Sequence, residues 1–206
     1  MKKSHNKIIK QLFDFFAALF ILIILTPIFI LIIVLIKLDS EGPVFFKFKR
    51  IGKAGREFNS LKFRSMLKNA VNEGLGIEVR ENDPRITRVG LFLRRWSMDE
   101  TPQLINVLRG EMSLVGPRPE VPSEIDSLEP DIKAIMLSVR PGMTSLATLQ
   151  NPHEGELLKG SPDPHKTYCE KIKPKKIKLN IEYIRKKSFW LDVKITIKTL
   201  FVAVFK

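Results

Sequence analysis

Two adjacent carboxylates, Asp99 and Glu100, stand in the run Ser97-Met98-Asp99-Glu100-Thr101-Pro102-Gln103. Ser97 with Glu100 three residues later has the form of a capping box, which predicts that the backbone turns helical here. Asp99 then falls in the first turn, near the positive end of the helix dipole, where an ionised carboxylate is favoured. Arg94 and Arg95, just upstream, add to that effect if the chain folds them back. An ionised carboxylate among cations suits nucleophilic attack on phosphorus through an acyl-phosphate intermediate. Glu100 offers hard oxygen ligands of the kind that Mg²⁺ takes together with substrate phosphates. On this run alone the bland reading is the stronger one, because most Ser-x-x-Glu starts are caps and nothing more.

Four basic residues give the dyad a context. Lys62 and Arg64 alternate with apolar neighbours in Leu61-Lys62-Phe63-Arg64-Ser65-Met66, a spacing that puts both on one face of a strand end. Arg118 lies between Pro117 and Pro119, which fix its backbone and lower the entropy cost of placing a guanidinium. Arg140 precedes Pro141-Gly142 in a second stiff turn. Arginine forks match phosphate oxygens in pairs. Each of these cations alone reads as surface or as a salt-bridge partner. Taken together, they suggest a diphosphate site.

The elements that must position these residues are mostly helical. Residues 44–51 and 58–63 read as two short strands joined by the turn Gly52-Lys53-Ala54-Gly55. A helix start is expected at 66–73, followed by a glycine-containing loop. Helices are expected over 86–96, from Val89, Phe92, Leu93 and Trp96, over 97–108, and over 130–139. Gly116-Pro117-Arg118-Pro119 and Pro122 make a stiff loop. Residues 175–205 read as helix with amphipathic spacing, suited either to a membrane surface or to packing on the core. The fold class is therefore α+β, mainly helical with a short β-hairpin.

Ahead of this part, residues 15–36 are apolar apart from Thr26 and Pro27. A straight helix of that length extends about 33 Å, enough for a hydrocarbon core of about 30 Å. Lysines flank it on both sides, at Lys2, Lys3, Lys7 and Lys10 and again from Lys37 to Lys53. The positive-inside rule holds both flanks in the cytoplasm. Pro27 removes a helix hydrogen bond, and the Thr26 hydroxyl can satisfy a freed backbone group. The prediction is a bent, re-entrant helix in residues 1–40 that enters and leaves by the cytoplasmic face of the membrane, with a kinked spanning helix as the alternative. Residues 41–206 then form a cytoplasmic catalytic domain.

Charge agrees with this placement. The 206 residues carry 35 Lys and Arg against 22 Asp and Glu, a net charge of +13. Nine of the cations lie in 37–68 and nine more in 166–187, clusters that favour anionic membrane lipids. Cys169 is the single cysteine, which excludes an intrachain disulfide and fits a reducing compartment. Nucleic acid is not an expected partner, because no zinc spacing, aromatic-basic motif or recognition module accompanies the charge. Nothing in the sequence sets an oligomeric state.

The chain resembles the small monotopic phosphoglycosyl transferases, bacterial sugar transferases that act on undecaprenyl phosphate. The matching blocks run through nearly the whole chain. They include Thr26-Pro27, Gly42-Pro43-Val44-Phe45-Phe46, Lys62-Phe63-Arg64-Ser65-Met66, Asp83-Pro84-Arg85-Ile86-Thr87, Ser97-Met98-Asp99-Glu100, the stretch from Gly110 through Gly116-Pro117-Arg118-Pro119, and Arg140-Pro141-Gly142. The resemblance implies a ping-pong reaction in which Asp99 attacks the β-phosphate of a UDP-sugar and expels UMP. A polyprenyl phosphate then takes the phospho-sugar. It also implies Mg²⁺ on Glu100, active-site positions for Lys62, Arg94 and Arg118, and a helix break at Thr26-Pro27. The chain departs from the family pattern after Thr144, where a basic residue is missing, and His153 in that loop reads as solvated surface. The alternative to an enzyme is a lipid-binding scaffold of the same fold, which an intact Asp-Glu dyad disfavours.

Overall fold

The structure, a computed structural model, describes residues 2–68, 70, 83–150 and 164–204. The first element, α1 (Lys2–Asp39), is one helix of 38 residues that continues through Pro27. Thr26 Oγ1 donates to the carbonyl of Leu22 at 2.9 Å. The carbonyl that Pro27 frees is that of Ile23, so the hydroxyl serves its own preceding turn instead, an arrangement that tends to bend helices. Residues 8–39 of α1 are long and apolar enough to cross a membrane, and most of that surface is not covered by protein. One stripe is covered. Asp14, Ala18, Phe29, Ile32 and Ile36 are buried, with Leu22 and Leu25 between them. Their spacing of three and four residues marks one face of a helix.

That face lies on a hairpin of β1 (Phe45–Ile51) and β2 (Glu57–Phe63), paired antiparallel from Phe45 with Phe63 to Ile51 with Glu57. The turn is the 3₁₀ segment Lys53–Gly55, where Ala54 and Gly55 take φ of 57° and 76°. Phe63 is buried between Phe45, stacked at 5.5 Å, and Phe29 of α1, edge-on at 5.0 Å. Burial of Phe29, Ile32 and Ile36 against this wall contributes roughly 6 kcal/mol before entropy costs.

The remaining elements follow in order as α2 (Arg88–Arg95), α3 (Gln103–Leu108), β3 (Ser113–Val115), α4 (Pro122–Asp126) and α5 (Pro130–Met136). After these come β4 (Gly142–Thr144), α6 (Leu146–Gln150), α7 (Pro164–Thr167), a π-helical turn (Tyr168–Ile172), α8 (Lys173–Lys186) and α9 (Phe189–Val204). The expected helix start at 66–73 is not formed at its first residue, since Met66 instead pairs with Ile86 in an isolated antiparallel bridge. Most of the loop that follows it, and His153, lie outside the described residues. A parallel pair, β3 with β4, is absent from the sequence reading. The single helix expected over 175–205 is two helices. Lys187 is extended (φ −50°, ψ 130°), and the Ser188 hydroxyl accepts from Leu191 N at 3.2 Å to start α9.

Both core clusters draw on α1. Ala18 joins Phe58, Leu104, Val107, Met112, Leu114, Val115, Tyr183 and Ile195, while Phe29, Ile32 and Ile36 join Phe63 and Leu93. A buried polar network also fixes the N-terminal half of α1. Lys10 pairs with Asp192 at 2.7 Å, Ser113 Oγ donates to Asp14 at 2.8 Å, and Tyr183 OH donates to Asp192 at 2.6 Å.

Candidate active site

The site begins with a glycine. A Cβ on Gly90 would lie 2.0 Å from the carbonyl oxygen of Ser65, so α2 crosses the chain after β2 at a distance only glycine permits. Thr87 caps α2 by accepting from Gly90 N at 3.0 Å. One turn later Arg94 Nε donates to Ser65 Oγ at 2.8 Å. The crossing thus points the Arg94 guanidinium along β2 towards the dyad.

Ser97 does not make the expected capping box. It sits in the left-handed region (φ 54°, ψ 23°) without a side-chain cap, and its N–H donates to Arg94 O at 3.1 Å. Ser97 therefore stops α2, in a place usually given to glycine, at a cost of about 1 kcal/mol for a residue with a Cβ. The reversal feeds directly into a 3₁₀ turn, Met98–Glu100, and only then into α3. Met98 packs on the Phe63 and Leu93 cluster, which seats the turn.

The two carboxylates have divided surroundings. Glu100 Oε1 accepts from Lys62 Nζ at 2.7 Å and from Arg118 Nη2, while Oε2 accepts from Arg118 Nη1 at 3.1 Å. Burial alone would push this carboxyl up, but Arg118 and Lys62 hold it well below the usual range. No hydrogen bond or ion pair engages the Asp99 carboxylate among the described residues. Burial and the neighbouring Glu100 raise its pKa, and Lys62, Arg94 and Arg118 offset only part of that. The lowering expected from a helix dipole is thus outweighed in this site. A single 3₁₀ turn supplies little dipole, and desolvation exceeds it.

Lys62, Arg94 and Arg118 are the cations that the fold gathers around the dyad. Arg64 and Arg140 stand elsewhere. β2 ends at Phe63, and the buried Arg64 turns back to the last turn of α1, donating to Ile36 O at 3.1 Å, Ser40 O at 2.6 Å and Ser40 Oγ at 3.0 Å. It caps the C-terminus of that helix. The Arg140 guanidinium lies against Gly110, where an added Cβ would approach it to 3.3 Å. That is the end of α3 remote from the dyad.

Three further residues, to which the sequence reading assigned no role in the site, shape it. Asn106, fully buried on α3, accepts from Leu61 N at 3.0 Å and donates to Asn59 O at 2.8 Å and Glu111 at 2.6 Å. Its amide satisfies the free edge of β2 as a further strand would, and so holds α3 and the preceding dyad in register with Lys62. Arg50 and Glu120 lie within electrostatic reach of Arg118. The run Arg118-Pro119-Glu120 carried the only hint to Glu120, since residues two apart in an extended segment share one face.

A model of the family described as bacterial sugar transferase matches residues 5–206. The chain is 39% identical over 198 residues to the UDP-glucose:undecaprenyl-phosphate glucose-1-phosphate transferase of Escherichia coli (strain K12), a match covering 95% of this chain and 40% of that protein. It is 40% identical to the undecaprenyl-phosphate glucose phosphotransferase of Komagataeibacter xylinus, over 93% of this chain and 35% of that protein. It is 34% identical to the exopolysaccharide production protein ExoY of Rhizobium meliloti (strain 1021), over 93% of this chain and 83% of that protein. The chain therefore spans less than half the length of the first two relatives.

Proposed function

The chain belongs to the bacterial sugar transferase family, and on that premise we propose that it transfers a phospho-sugar from a UDP-sugar to undecaprenyl phosphate, releasing UMP. The observation that carries this reading is the division of labour in the dyad. Glu100 is held on both oxygens by Lys62 and Arg118, and Asp99 beside it has no hydrogen bond or ion pair among the described residues. A carboxylate left free among three cations suits a nucleophile.

In the proposed sequence an Asp99 carboxylate oxygen attacks the β-phosphorus of the donor. The bond from that phosphorus to the bridging oxygen breaks, and UMP leaves with the electron pair. An oxygen of the polyprenyl phosphate next attacks the aspartyl phospho-sugar, restoring the Asp99 carboxylate and giving a polyprenyl diphosphate sugar. Lys62, Arg94 and Arg118 offset the charge that builds on the phosphoryl oxygens.

Mg²⁺ fits the donor set. Among the described residues no group of three or more His, Cys, Asp or Glu side chains is gathered, and Mg²⁺ commonly takes one or two carboxylates with the rest of its shell from phosphate and water. Glu100 would hold it by giving up a contact with Lys62 or Arg118, and a bound ion would supply positive charge at the diphosphate.

We place the protein at the bacterial inner membrane with its catalytic part on the cytoplasmic face. Besides the open face of α1, exposed apolar side chains occur at Leu91 and Phe92 of α2 and at Trp96 just after it, and on α9, at Trp190, Ile197 and Phe201. Both halves of α1 pack on the same domain, which supports the re-entrant reading over the spanning one. Cysteine labelling near both ends of α1, in a Cys169→Ser background, checks this. Two cytoplasmic ends support it, and one periplasmic end overturns it.

The catalytic reading is tested by UMP release from a panel of UDP-sugars, with undecaprenyl phosphate and Mg²⁺ in nanodiscs. Release by the wild type, its loss in Asp99→Asn and with EDTA, and labelled phospho-sugar retained on the protein without acceptor are the expected results. A folded wild type that releases nothing from any donor would sink it.

A further inference from the structure

Arg64 is a buried cation that the scheme above does not use. The residue is 5% exposed, and its Nη2 spends its hydrogen bonds on Ile36 O, Ser40 O and Ser40 Oγ at the end of α1. The other two nitrogens, Nε and Nη1, are closed off from solvent and have no hydrogen-bond partner among the described residues. A charged donor buried without a partner is costly, and such a group in a folded protein calls for an explanation. The neighbouring carboxylates do not supply one. Asp39 accepts from Val89 N at 3.0 Å, at the start of α2, and neither Asp39 nor Glu41 forms an ion pair among the described residues.

What covers Nη1 is the turn at residues 41–43. Gly42 stands against it with φ of 122°, and an added Cβ there would lie 2.5 Å from Nη1 and 3.9 Å from Lys68 Cβ. Among the described residues one hydrogen bond holds this turn, from the exposed Lys37 Nζ to Gly42 O at 3.0 Å. Lys68 is exposed too, and its ammonium has no partner among the described residues. Beside Lys37, Leu38 is an exposed apolar side chain, so the cations stand where the apolar length of α1 ends.

We propose that Arg64 Nη1 and Lys68 bind the phosphate of a membrane phospholipid when the turn at 41–43 lifts. The proposal goes beyond the transfer reading and rests on the placement of α1 in the membrane. The lipid is a phospholipid and not the acceptor, because Arg64 turns away from the dyad to the end of α1. Nη1 takes one phosphate oxygen and the Lys68 ammonium another, both as charge-assisted contacts. The charge suits a phosphodiester, which carries one negative charge. Lys37, Arg64 and Lys68 stand with Asp39 and Glu41, one cation in excess. Glycine at 42 leaves Nη1 under bare backbone, which exchanges one exposed hydrogen bond for the headgroup.

Dihexanoyl-phosphatidylglycerol and inorganic phosphate are titrated separately into the full chain in an uncharged detergent, by calorimetry. Arg64→Lys, which keeps a donor for the end of α1 and loses Nη1, and Lys68→Gln are the variants. Lys133→Gln, at an exposed surface ion pair, is the control. Loss of a charge-assisted contact weakens binding about tenfold, and loss of a basic side chain at a lipid surface about fivefold. The expected result is lipid bound about tenfold more weakly by Arg64→Lys, about fivefold more weakly by Lys68→Gln, and within about twofold of the wild type by Lys133→Gln. If Arg64→Lys does not fold, Lys68→Gln and Gly42→Ala carry the measurement, the second by crowding Nη1. A wild type that binds no lipid overturns the site, as does unchanged affinity in the folded variants or an equal loss in Lys133→Gln. Inorganic phosphate bound more tightly than the lipid overturns the lipid as its ligand. A wild type that binds the lipid in this way yet does not float with phosphatidylglycerol vesicles leaves the site standing and removes the membrane placement instead.

Discussion

Asp99 is a carboxyl whose surroundings work against its own charge, and that gives it opposite effects on stability and on chemistry. Its pKa is raised in the fold, by burial first and by Glu100 second. A raised carboxyl binds its proton more tightly folded than unfolded, so its stability contribution is present below the unfolded value of about 3.9 and is lost as pH rises through the folded value. Asp99→Asn should therefore melt at a higher temperature than the wild type at pH 7, with the gap closing towards pH 4. Thermal unfolding at several pH values checks this, and an equal gap at all of them would argue against the raised pKa. Glu100 has the opposite sign. Its depressed carboxyl stabilises above the unfolded value and loses that contribution in acid. Because attack needs the Asp99 anion, the acid limb of UMP release should lie above the ordinary carboxylate range. A limb at or below about pH 4 would contradict this.

At the scale of elements, the dyad is positioned by two contacts that do not touch it. Asn106 serves Leu61 N, Asn59 O and Glu111 together. Asn106→Leu strands the two backbone groups in the interior, at an expected cost of about 3 kcal/mol. Denaturant unfolding reads that cost, and a loss under about 1 kcal/mol would mean that water replaces the amide. Gly90→Ala should be worse for its size. The 2.0 Å approach to Ser65 O is to backbone, which cannot swing aside as a side chain can, so α2 must move and carry Arg94 from Ser65. The expected signature is a lower melting temperature together with a fall in UMP release larger than the loss of folded protein explains. Arg64 belongs to this scale too. It ties the end of α1 to the end of β2, and so sets how far the hairpin and its Lys62 stand from the apolar helix.

For the whole molecule, α1 is part of the domain it anchors. It supplies Ala18 to one core cluster and Phe29, Ile32 and Ile36 to the other, and Lys10 completes a buried network with Asp192, which Tyr183 also engages. Removing Asp192 leaves Lys10 only its longer contact with Asp14, 3.4 Å, and takes an acceptor from the buried Tyr183 hydroxyl, at a cost of about 1–3 kcal/mol. Asp192→Leu should lower the melting temperature of the whole protein by several degrees and not merely free the helix. Proteolysis of α1 at unchanged melting temperature would show that the helix is only tethered.

The sequence by itself determined what depends on near neighbours. The hairpin and its glycine turn, the length and apolar character of α1, the helices over most of their extent, and the adjacency of Asp99 and Glu100 all follow from local pattern. The gathering of Lys62, Arg94 and Arg118 was legible only because several motifs, taken in order, resembled one family. Tertiary structure alone decided the rest. Lys62 and Arg64 are two residues apart and equal by spacing. One meets Glu100 and the other caps α1, because a helix end far off in sequence comes to lie against the second. Ser97 reads as a helix start and acts as a helix stop, because packing of Met98 on the core forces the chain to reverse there. β3 and β4 are three residues each, too short to announce themselves, and form because Gly116 and Gly142 let two distant segments touch backbone to backbone. Arg50 and Glu120 share a site through one hydrogen bond, from Ile51 to Glu120, that joins residues 69 apart. Spacing fixes which side chains share a face within an element, and only packing fixes which faces meet.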